Sequence, residues 1–286
     1  MRVIRTIDEL RETTAAFVTT REARVGLVPT MGALHEGHLS LIRAARAECD
    51  LTVVSVFVNP TQFNDQRDLE AYPRDEQRDA GLAKGAGADI MFAPSVEEMY
   101  PVGHSTSVHV VDVSEPLEGA HRGAVHFDGV ATVVTKLFIA VAPDIAYFGQ
   151  KDAQQLAVVK RMVRDLHLPV TVKGLPTIRE DSGLAMSSRN VRLSAEERSQ
   201  ALALKSGLDA AFQTYQESHD PSAAETAAID AMRAVGVEPE YFALVDEFSF
   251  APVLPGQPAL AVVAAPVGPV RLIDNMHIPI DPERKN

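Results

Sequence analysis

The sequence is poor in the residues that build cross-linked or metal-centred sites. Cys49 is its only cysteine, and tryptophan is absent. An internal disulfide and a cysteine-ligated zinc site are therefore both excluded, which agrees with a reducing compartment. We expect Cys49 to lie in the core or at a helix end rather than to act as a nucleophile.

Long apolar runs are also missing. The longest, residues 51–58 and 259–270, fall short of the roughly 18 to 20 consecutive apolar residues that cross a bilayer. The first residues lead straight into a polar helical pattern, without the apolar stretch of a secretory signal. We therefore expect a cytoplasmic protein with no membrane partner.

Positive charge is scarce. The chain has 27 Lys and Arg residues against 39 Asp and Glu residues, a formal net charge of -12. Such a chain repels a polyphosphate backbone at long range, so we expect no nucleic-acid partner. A small anionic ligand is still compatible with this charge, because salt screens charges beyond about 8 Å. The cations that bind it must then be gathered locally.

What the sequence has in quantity is an alternation of short apolar runs and amphipathic helical patterns. Residues 51–58 are a continuous β-branched run, typical of a strand buried on both faces of a parallel sheet. Similar apolar segments, separated by helical patterns, occur at residues 24–30, 89–93, 145–149 and 170–175. The alternation predicts an α/β fold: a Rossmann-like open parallel sheet with helices on both faces. Its ligands should gather at the carboxyl ends of the strands.

The two ends of the chain differ from this pattern. Near the N-terminus, Thr6 and Glu9 have the spacing of a capping box, which predicts a first helix. After residue 175 come alanine-rich helical patterns (195–216 and 222–235) and strand-like segments (240–245, 260–265 and 270–273). Helices followed by consecutive strands predict a smaller C-terminal α+β domain. We therefore expect two domains, residues 1–175 and 176–286.

The predicted strand at residues 24–30 runs into Met31–His38, a loop with two glycines and two histidines. The free N–H groups and the partial charge at the start of the next helix, about half an elementary charge, attract phosphate. Glycines allow close approach, and imidazoles add donors. Either histidine alone would be an ordinary polar residue near a helix start, but their pairing through Gly37 after a strand favours an anion site.

Three common motifs are missing from this loop. The Gly-x-Gly-x-x-Gly and Walker A patterns are absent, so the usual dinucleotide and P-loop interpretations have no support. A zinc peptidase would need His-Glu-x-x-His, whereas His38 follows His35 after three residues. We expect no metal site made by the protein.

His35-Glu36-Gly37-His38 resembles the His-x-Gly-His signature of nucleotidyltransferases and class I aminoacyl-tRNA synthetases. Longer blocks resemble, in the same order, the pantothenate synthetase (pantoate–β-alanine ligase) family: residues 29–38, 57–63, 72–74, 148–155 and 183–190. The resemblance implies an ATP-dependent condensation of pantoate with β-alanine, which gives pantothenate, AMP and pyrophosphate through a pantoyl adenylate. It also implies a homodimer, with Mg²⁺ carried on the ATP phosphates.

The resemblance assigns roles to individual residues. His35, His38, Lys151 and Arg189 would be the catalytic cations. The ATP-binding residues would be Met31, Gly32, Ala33, Leu34, His35, Glu36, Gly37, His38, Gly149, Gln150, Lys151, Asp152, Ile178, Met186, Ser187, Ser188 and Arg189. Gln62 and Gln155 would bind pantoate, and Gln62 would also lie near β-alanine. An amide suits such a ligand because it offers both a donor and an acceptor.

Other residues are weaker candidates. Asn59 and Tyr72 would lie in the same pocket, and Met31 would line it. Three valines would either line this pocket or belong to the helical core, which is the simpler interpretation: Val130, Val133 and Val134. Residues 122–127 have one residue more than the family pattern and lack its proline, so Arg122 and His126 are only candidate site residues. Gln150 replaces a frequent glutamate, a milder change that backbone contacts would survive.

Two other functions could use the same sequence features. One is a nucleotidyltransferase that transfers a nucleotidyl group to a phosphorylated acceptor and releases pyrophosphate. The other is a nucleotide sensor that binds ATP without turnover. Both would keep the phosphate-binding loop, but neither would join two acids.

Overall fold

The chain folds as two compact units. The computed structural model describes residues 1–18, 23–64 and 66–280. The first unit is Met1–Gln150 with Gln155–Pro176, and the second is Lys151–Gln154 with the chain from Thr177 onward. The sequence places a single boundary after residue 175, whereas here the short segment Lys151–Gln154 groups with the second unit. Residues 281–286 of the predicted second domain lie outside the described residues.

The first unit is built on a six-stranded sheet with the order β1-β4-β3-β2-β5-β6. All of its neighbouring strands are parallel. The strands are β1 (Arg2–Ile4), β2 (Val25–Thr30), β3 (Leu51–Val56), β4 (Ile90–Phe92), β5 (Ile145–Gly149) and β6 (Thr171–Leu175). Five of the six occupy the apolar runs of the sequence, and the parallel sheet confirms the predicted α/β fold.

Helices follow the strands of this unit. They are α1 (Ile7–Phe17), α2 (Glu36–Glu48), α3 (Gln66–Glu70), α4 (Glu76–Ala86), α5 (Val96–Met99), α6 (Glu118–Arg122), α7 (Ala124–Val141) and α8 (Ala153–Asp165). Two 3-10 turns, Pro60–Gln62 and Gln150–Asp152, follow β3 and β5. Every loop considered below as a site starts where one of these strands ends, since a parallel sheet gathers its carboxyl ends at one edge.

Strand β1 corrects the expectation that the N-terminus leads straight into a helix. It pairs in parallel with β4, and only Ile4 of its three residues is buried. One buried residue gives no periodic signal, so this edge strand cannot be recognised from its sequence. The predicted capping box is half formed: Thr6 Oγ1 accepts the Glu9 N–H at 3.3 Å, while the Glu9 carboxylate accepts from Arg2 at 3.1 Å.

Cys49 ends α2 and lies in the core, as predicted. It is 7% exposed, and its Sγ atom lies 3.4 Å from the Tyr147 hydroxyl. A Cβ atom at Gly26 would lie 2.9 Å from this sulfur, so glycine is what lets the strand and the helix end approach so closely. Burial raises the pKa of the Cys49 thiol, because a thiolate would lose its hydration there.

The buried thiol should be inert in the folded protein. The thiolate is the nucleophile, and both burial and the raised pKa disfavour it. With an excess of a chromogenic aromatic disulfide at mildly alkaline pH, we expect less than about a tenth of the Cys49 thiol to react over an interval that gives complete reaction in denaturant. The absorbance of the thiolate released from the reagent measures the reacted fraction in the folded chain and in the denatured chain. Complete reaction of the folded chain over that interval would contradict the assignment.

The second unit has two helices and a three-stranded antiparallel sheet, as predicted. They are α9 (Ala195–Ser218), α10 (Pro221–Arg233), β7 (Tyr241–Val245), β8 (Ala259–Val267) and β9 (Val270–Ile278). Ser194 and Glu197 form the reciprocal capping box that starts α9, with bonds of 3.2 and 2.8 Å. Strand β9 continues five residues beyond its predicted end at residue 273. The prediction stopped there because Asp274 and Asn275 interrupt the apolar pattern, although both are buried.

Long helices of both units, such as α8 and α9, have buried and exposed residues. Helix α9 spans 24 residues, but charged residues such as Glu196, Arg198 and Lys205 recur along it. Of the helices in the described part of the chain, none combines the length and the apolar character that a membrane span requires.

Candidate active site

The loop between β2 and α2 places His35 and His38 at a helix start. His35 Nδ1 accepts the Gly37 N–H at 3.2 Å, and His38 Nδ1 accepts the His35 N–H at 3.4 Å. The two imidazoles thus form a reciprocal capping box, with ring centroids 4.1 Å apart. A ring nitrogen that accepts an N–H carries no proton. Each neutral ring therefore has its donor on Nε2.

Gly37 is required for this arrangement. A Cβ atom there would lie 2.9 Å from Cε1 and 3.0 Å from Nδ1 of the His35 ring. The His35 ring can fold over the first turn of α2 only when residue 37 has no side chain. This explains the glycine between the two histidines in physical terms.

The segment just before His35 is held by a buried carboxylate that the sequence analysis missed. Asp79, in α4, is 1% exposed. Its Oδ2 accepts the Ala33 N–H and its Oδ1 accepts the Leu34 N–H, each at 2.8 Å. Gly32 and Ala33 both have left-handed backbones, with φ of 84° and 50°. Asp79 therefore stabilises a backbone conformation that an ordinary residue such as alanine disfavours.

Gln62 lies at the end of the 3-10 turn that follows β3. Its Oε1 accepts from Asn59 Nδ2 at 3.1 Å, and its Nε2 donates to Met31 Sδ at 3.1 Å. The structure thus brings together Met31, Asn59 and Gln62, three residues predicted for the acid pocket. Gly129 makes the packing of α7 against this turn possible, because a Cβ there would lie 2.6 Å from the Thr61 carbonyl oxygen.

The remaining candidates around the predicted acid pocket differ in their contacts. His126 Nδ1 lies 2.8 Å from the Gln62 carbonyl oxygen, and the Tyr72 ring packs edge-on against Phe63 at 5.9 Å. Arg122 instead bonds Glu118 at 2.8 Å, one turn back in α6. Three valines singled out in α7 are 6% exposed or less, as expected for helical core: Val130, Val133 and Val134.

The segment after β5 leaves the sheet at its carboxyl edge, as predicted. Gly149 ends the strand, Gln150–Asp152 form a 3-10 turn, and α8 begins at Ala153. Gln155 therefore lies in the first turn of α8 and is half-buried. Its contacts with a ligand stay a prediction.

In the second unit, a polar chain ends on the Lys151 backbone. Arg179 forms a two-pronged ion pair with the Asp274 carboxylate, at 2.6 and 2.9 Å. The neighbouring Asn275 donates from Nδ2 to the Lys151 carbonyl oxygen at 2.8 Å. The Lys151 ammonium lies 3.9 Å from Asp152 Oδ1. Arg179, Asp274 and Asn275 were not singled out by the sequence analysis, since each contacts residues distant in the chain.

Residues 178–190 form a loop in the same unit that is held by hydrogen bonds. Met186 donates its N–H to the Ile178 carbonyl oxygen at 2.9 Å, which brings these two predicted ATP-binding residues together. Ser187 Oγ accepts the Arg189 N–H at 3.3 Å and starts a 3-10 turn, Ser188–Arg192. The loop that carries Ser187, Ser188 and Arg189 is therefore ordered by its own hydrogen bonds.

A second network holds the far side of this loop. Asn190 is 3% exposed, and its Nδ2 donates to Glu180 Oε1 and to the Ala185 carbonyl oxygen, each at 3.0 Å. Arg198 pairs with the same Glu180 carboxylate at 2.8 Å. Across residues 1–18, 23–64 and 66–280, no group of three His, Cys, Asp or Glu side chains is placed to hold a metal ion.

Known proteins resemble the chain along its whole length. The profile of the pantoate-beta-alanine ligase family matches residues 2–277. The pantothenate synthetase of Rhizorhabdus wittichii is 50% identical over 281 residues, covering 97% of this chain and 99% of the relative. That of Myxococcus xanthus is 50% identical over 282 residues, covering 96% of each.

Solved structures agree with these relatives. The pantothenate synthetase of Thermus thermophilus is 47% identical, covers 98% of this chain and 100% of its own, and superposes with a TM-score of 0.90. The pantoate-beta-alanine ligase of Francisella tularensis, solved in complex with beta-gamma ATP and beta-alanine, is 31% identical, covers 97% of both chains and has a TM-score of 0.78. The chain therefore belongs to the pantoate–β-alanine ligase (pantothenate synthetase) family.

Proposed function

We propose that the chain, a ligase of this family that condenses pantoate with β-alanine using ATP, works in two steps through a pantoyl adenylate. In the first, a pantoate carboxylate oxygen bonds to the α-phosphorus of ATP, and the bond to the departing pyrophosphate breaks. In the second, the β-alanine amine bonds to the activated carbonyl carbon, and AMP leaves with the electron pair. Activation is needed because an unactivated carboxylate would have to expel oxide.

The observation that carries this proposal is the paired imidazole cap of α2. Its Nδ1 atoms accept backbone N–H groups, so both rings present N–H donors from Nε2 at a helix start. Donors and a helix N-terminus that are fixed before the ligand arrives stabilise the charge that develops on a departing pyrophosphate. The Francisella tularensis relative was solved with beta-gamma ATP and beta-alanine, which supports ATP and β-alanine as substrates of this chain.

The other predicted ligands belong to the same proposal. Lys151 and Arg189 would add positive charge, and the main-chain groups of Gly149–Asp152 and Met186–Arg189 would contact ATP, with Ile178 beside the adenine. Mg²⁺ would arrive with ATP as part of the substrate. We also propose that residues 1–175 bind nucleotide and pantoate and that residues 176–286 act as a lid domain. The protein would be a homodimer in the cytoplasm.

Product analysis tests the overall reaction. A mixture of MgATP, pantoate and β-alanine should yield AMP, pyrophosphate and pantothenate in equal amounts. A nucleotidyltransferase would leave both acids unligated, and a sensor would bind ATP without turnover. The intermediate is tested without β-alanine: labelled pyrophosphate should enter ATP only when pantoate is present.

Replacing Gln62 with alanine should weaken pantoate far more than ATP. The change removes an amide from the acid pocket, and losing an N–H donor to a charged oxygen costs about 1.5 to 3 kcal/mol. We expect the KM for pantoate to rise about tenfold or more, with the KM for ATP within about twofold. Steady-state kinetics with each substrate varied in turn measures both values.

The exposed Gln77 of α4 offers a matched control, since Gln77→Ala removes the same amide from the surface. It should leave both KM values unchanged. An equal loss of pantoate and ATP binding in Gln62→Ala would point to misfolding and would speak against a direct role for Gln62.

A further inference from the structure

We infer that Tyr100 is a positioning residue for the acid substrate. Its hydroxyl orients the Asn59 amide, and that amide turns the Gln62 side chain so that it meets pantoate with an N–H donor. The inference rests on the proposed function, because it takes Gln62 as a pantoate ligand. Tyr100 has no part in the sequence motifs and comes 38 residues after Gln62.

The Asn59 amide can adopt only one orientation in its surroundings. Asn59 is 1% exposed. Its Oδ1 accepts from the Tyr100 hydroxyl at 2.8 Å and from the Thr61 hydroxyl at 2.9 Å. Its Nδ2 donates to the Gly129 carbonyl oxygen at 3.0 Å and to Gln62 Oε1 at 3.1 Å. The Gly129 carbonyl can only accept, and the Thr61 N–H, 3.4 Å from Asn59 Oδ1, can only donate, so a reversed amide would lose both of these contacts.

The orientation of Asn59 decides which end of Gln62 is the donor. Because Gln62 Oε1 accepts from Asn59, the opposite end of the amide is Nε2, and it lies 3.1 Å from Met31 Sδ. A thioether sulfur is a weak acceptor. A carboxylate or hydroxyl oxygen of the substrate would be a stronger partner for the same N–H groups. Gln62 is therefore prepared for a ligand that accepts hydrogen bonds.

Tyr100 is itself well anchored for this role. Its ring packs edge-on against His104 with centroids 5.0 Å apart, and the Lys136 ammonium lies over the ring at 5.4 Å. Burial raises the pKa of the Tyr100 phenol, so the hydroxyl keeps its proton and remains a donor at neutral pH. Without the Tyr100 hydroxyl, the donors to Asn59 Oδ1 would be the hydroxyl of the exposed Thr61 side chain at 2.9 Å and the Thr61 N–H at 3.4 Å.

Tyr100→Phe tests the inference by removing one hydroxyl and little else. We expect the KM for pantoate to rise about three- to tenfold, the range that one ordinary hydrogen bond accounts for. The KM for ATP and the kcat should stay within about twofold. The matched control is Tyr215→Phe, which removes a buried hydroxyl that donates to the Gln257 carbonyl oxygen at 2.8 Å in the other unit. It should change neither KM.

A double variant separates positioning from a general structural role. If Tyr100 acts through Gln62, then adding Tyr100→Phe to Gln62→Ala should raise the pantoate KM no further, because coupled residues are not additive. A merely structural tyrosine would lower the melting temperature and would add its effect to that of Gln62→Ala. Additive effects, or a pantoate KM unchanged in Tyr100→Phe, would overturn the inference.

The same set of variants distinguishes this inference from the proposed function. If Gln62→Ala raises the pantoate KM while Tyr100→Phe does not, the orienting role of Tyr100 is wrong and the acid pocket stands. If Gln62→Ala leaves the pantoate KM unchanged, the pocket assignment is wrong and the inference fails with it.

Discussion

Replacing His38 with alanine is expected to lower the rate of pantoate-dependent pyrophosphate exchange by more than about tenfold. Removing a donor that stabilises charge in a transition state commonly costs more than about 1.4 kcal/mol, which corresponds to that factor. The change also removes the acceptor of the His35 N–H. The reciprocal cap would then keep only the bond from the Gly37 N–H to His35 Nδ1. Exchange of labelled pyrophosphate into ATP measures the first step alone.

The exposed His109, which pairs with Asp128 at 2.7 Å, offers the control. His109→Ala should exchange pyrophosphate at the normal rate. His38→Asn is a useful third variant, because its side-chain oxygen can accept the His35 N–H while the imidazole donor is lost. Near-normal exchange in His38→Ala would remove His38 from the proposed chemistry. Full recovery in His38→Asn would make it a capping residue alone.

The second large effect is expected at Asp79, which holds the loop Met31–His38 proposed to bind phosphate, although no motif contains it. Asp79→Ala would leave the half-buried Ala33 N–H and the buried Leu34 N–H without their acceptor. Each such donor costs about 1 to 3 kcal/mol, and the left-handed backbone at Ala33 would relax to another conformation. We expect a KM for ATP raised by more than about tenfold, together with a lower unfolding free energy.

Two further variants sharpen this prediction. Asp79→Asn keeps one acceptor but turns an NH₂ group toward a backbone N–H, so its KM for ATP should lie between those of the wild type and Asp79→Ala. Asp165→Ala removes an exposed carboxylate that pairs with Arg164 and should change nothing. Urea unfolding and steady-state kinetics measure the two effects separately. A normal KM for ATP in a destabilised Asp79→Ala would show that the loop conformation does not serve ATP.

The parts of the fold that the sequence predicted are those with repeated local signals. The β-branched run at residues 51–58 predicted a strand buried on both faces, and residues 51–55 are buried in β3. The alanine-rich helical pattern at residues 195–216 predicted α9. Strand β1 and the second half of β9 were not predicted, because two of the three β1 residues are exposed and β9 continues with the buried polar residues Asp274 and Asn275. Their pairing partners decide their structure.

The candidate site divides in the same way. His35, Gly37 and His38 lie within one turn, so their spacing already indicates that they act together, and the reciprocal cap gives the physical reason. Asp79 and Tyr100 contact residues about 40 positions away. No spacing rule connects such pairs, because the distance between them depends on how β3, α4 and α7 pack.

Thus the sequence by itself determined the α/β architecture and the family, and it predicted a phosphate-binding loop at Met31–His38, since each depends on residues that are close together in the chain. Only the tertiary structure decided the orientation of the Gln62 amide and the carboxylate that holds Ala33 and Leu34. These features depend on which hydrogen-bonding groups meet after folding. Buried polar groups must find partners wherever the packing supplies them.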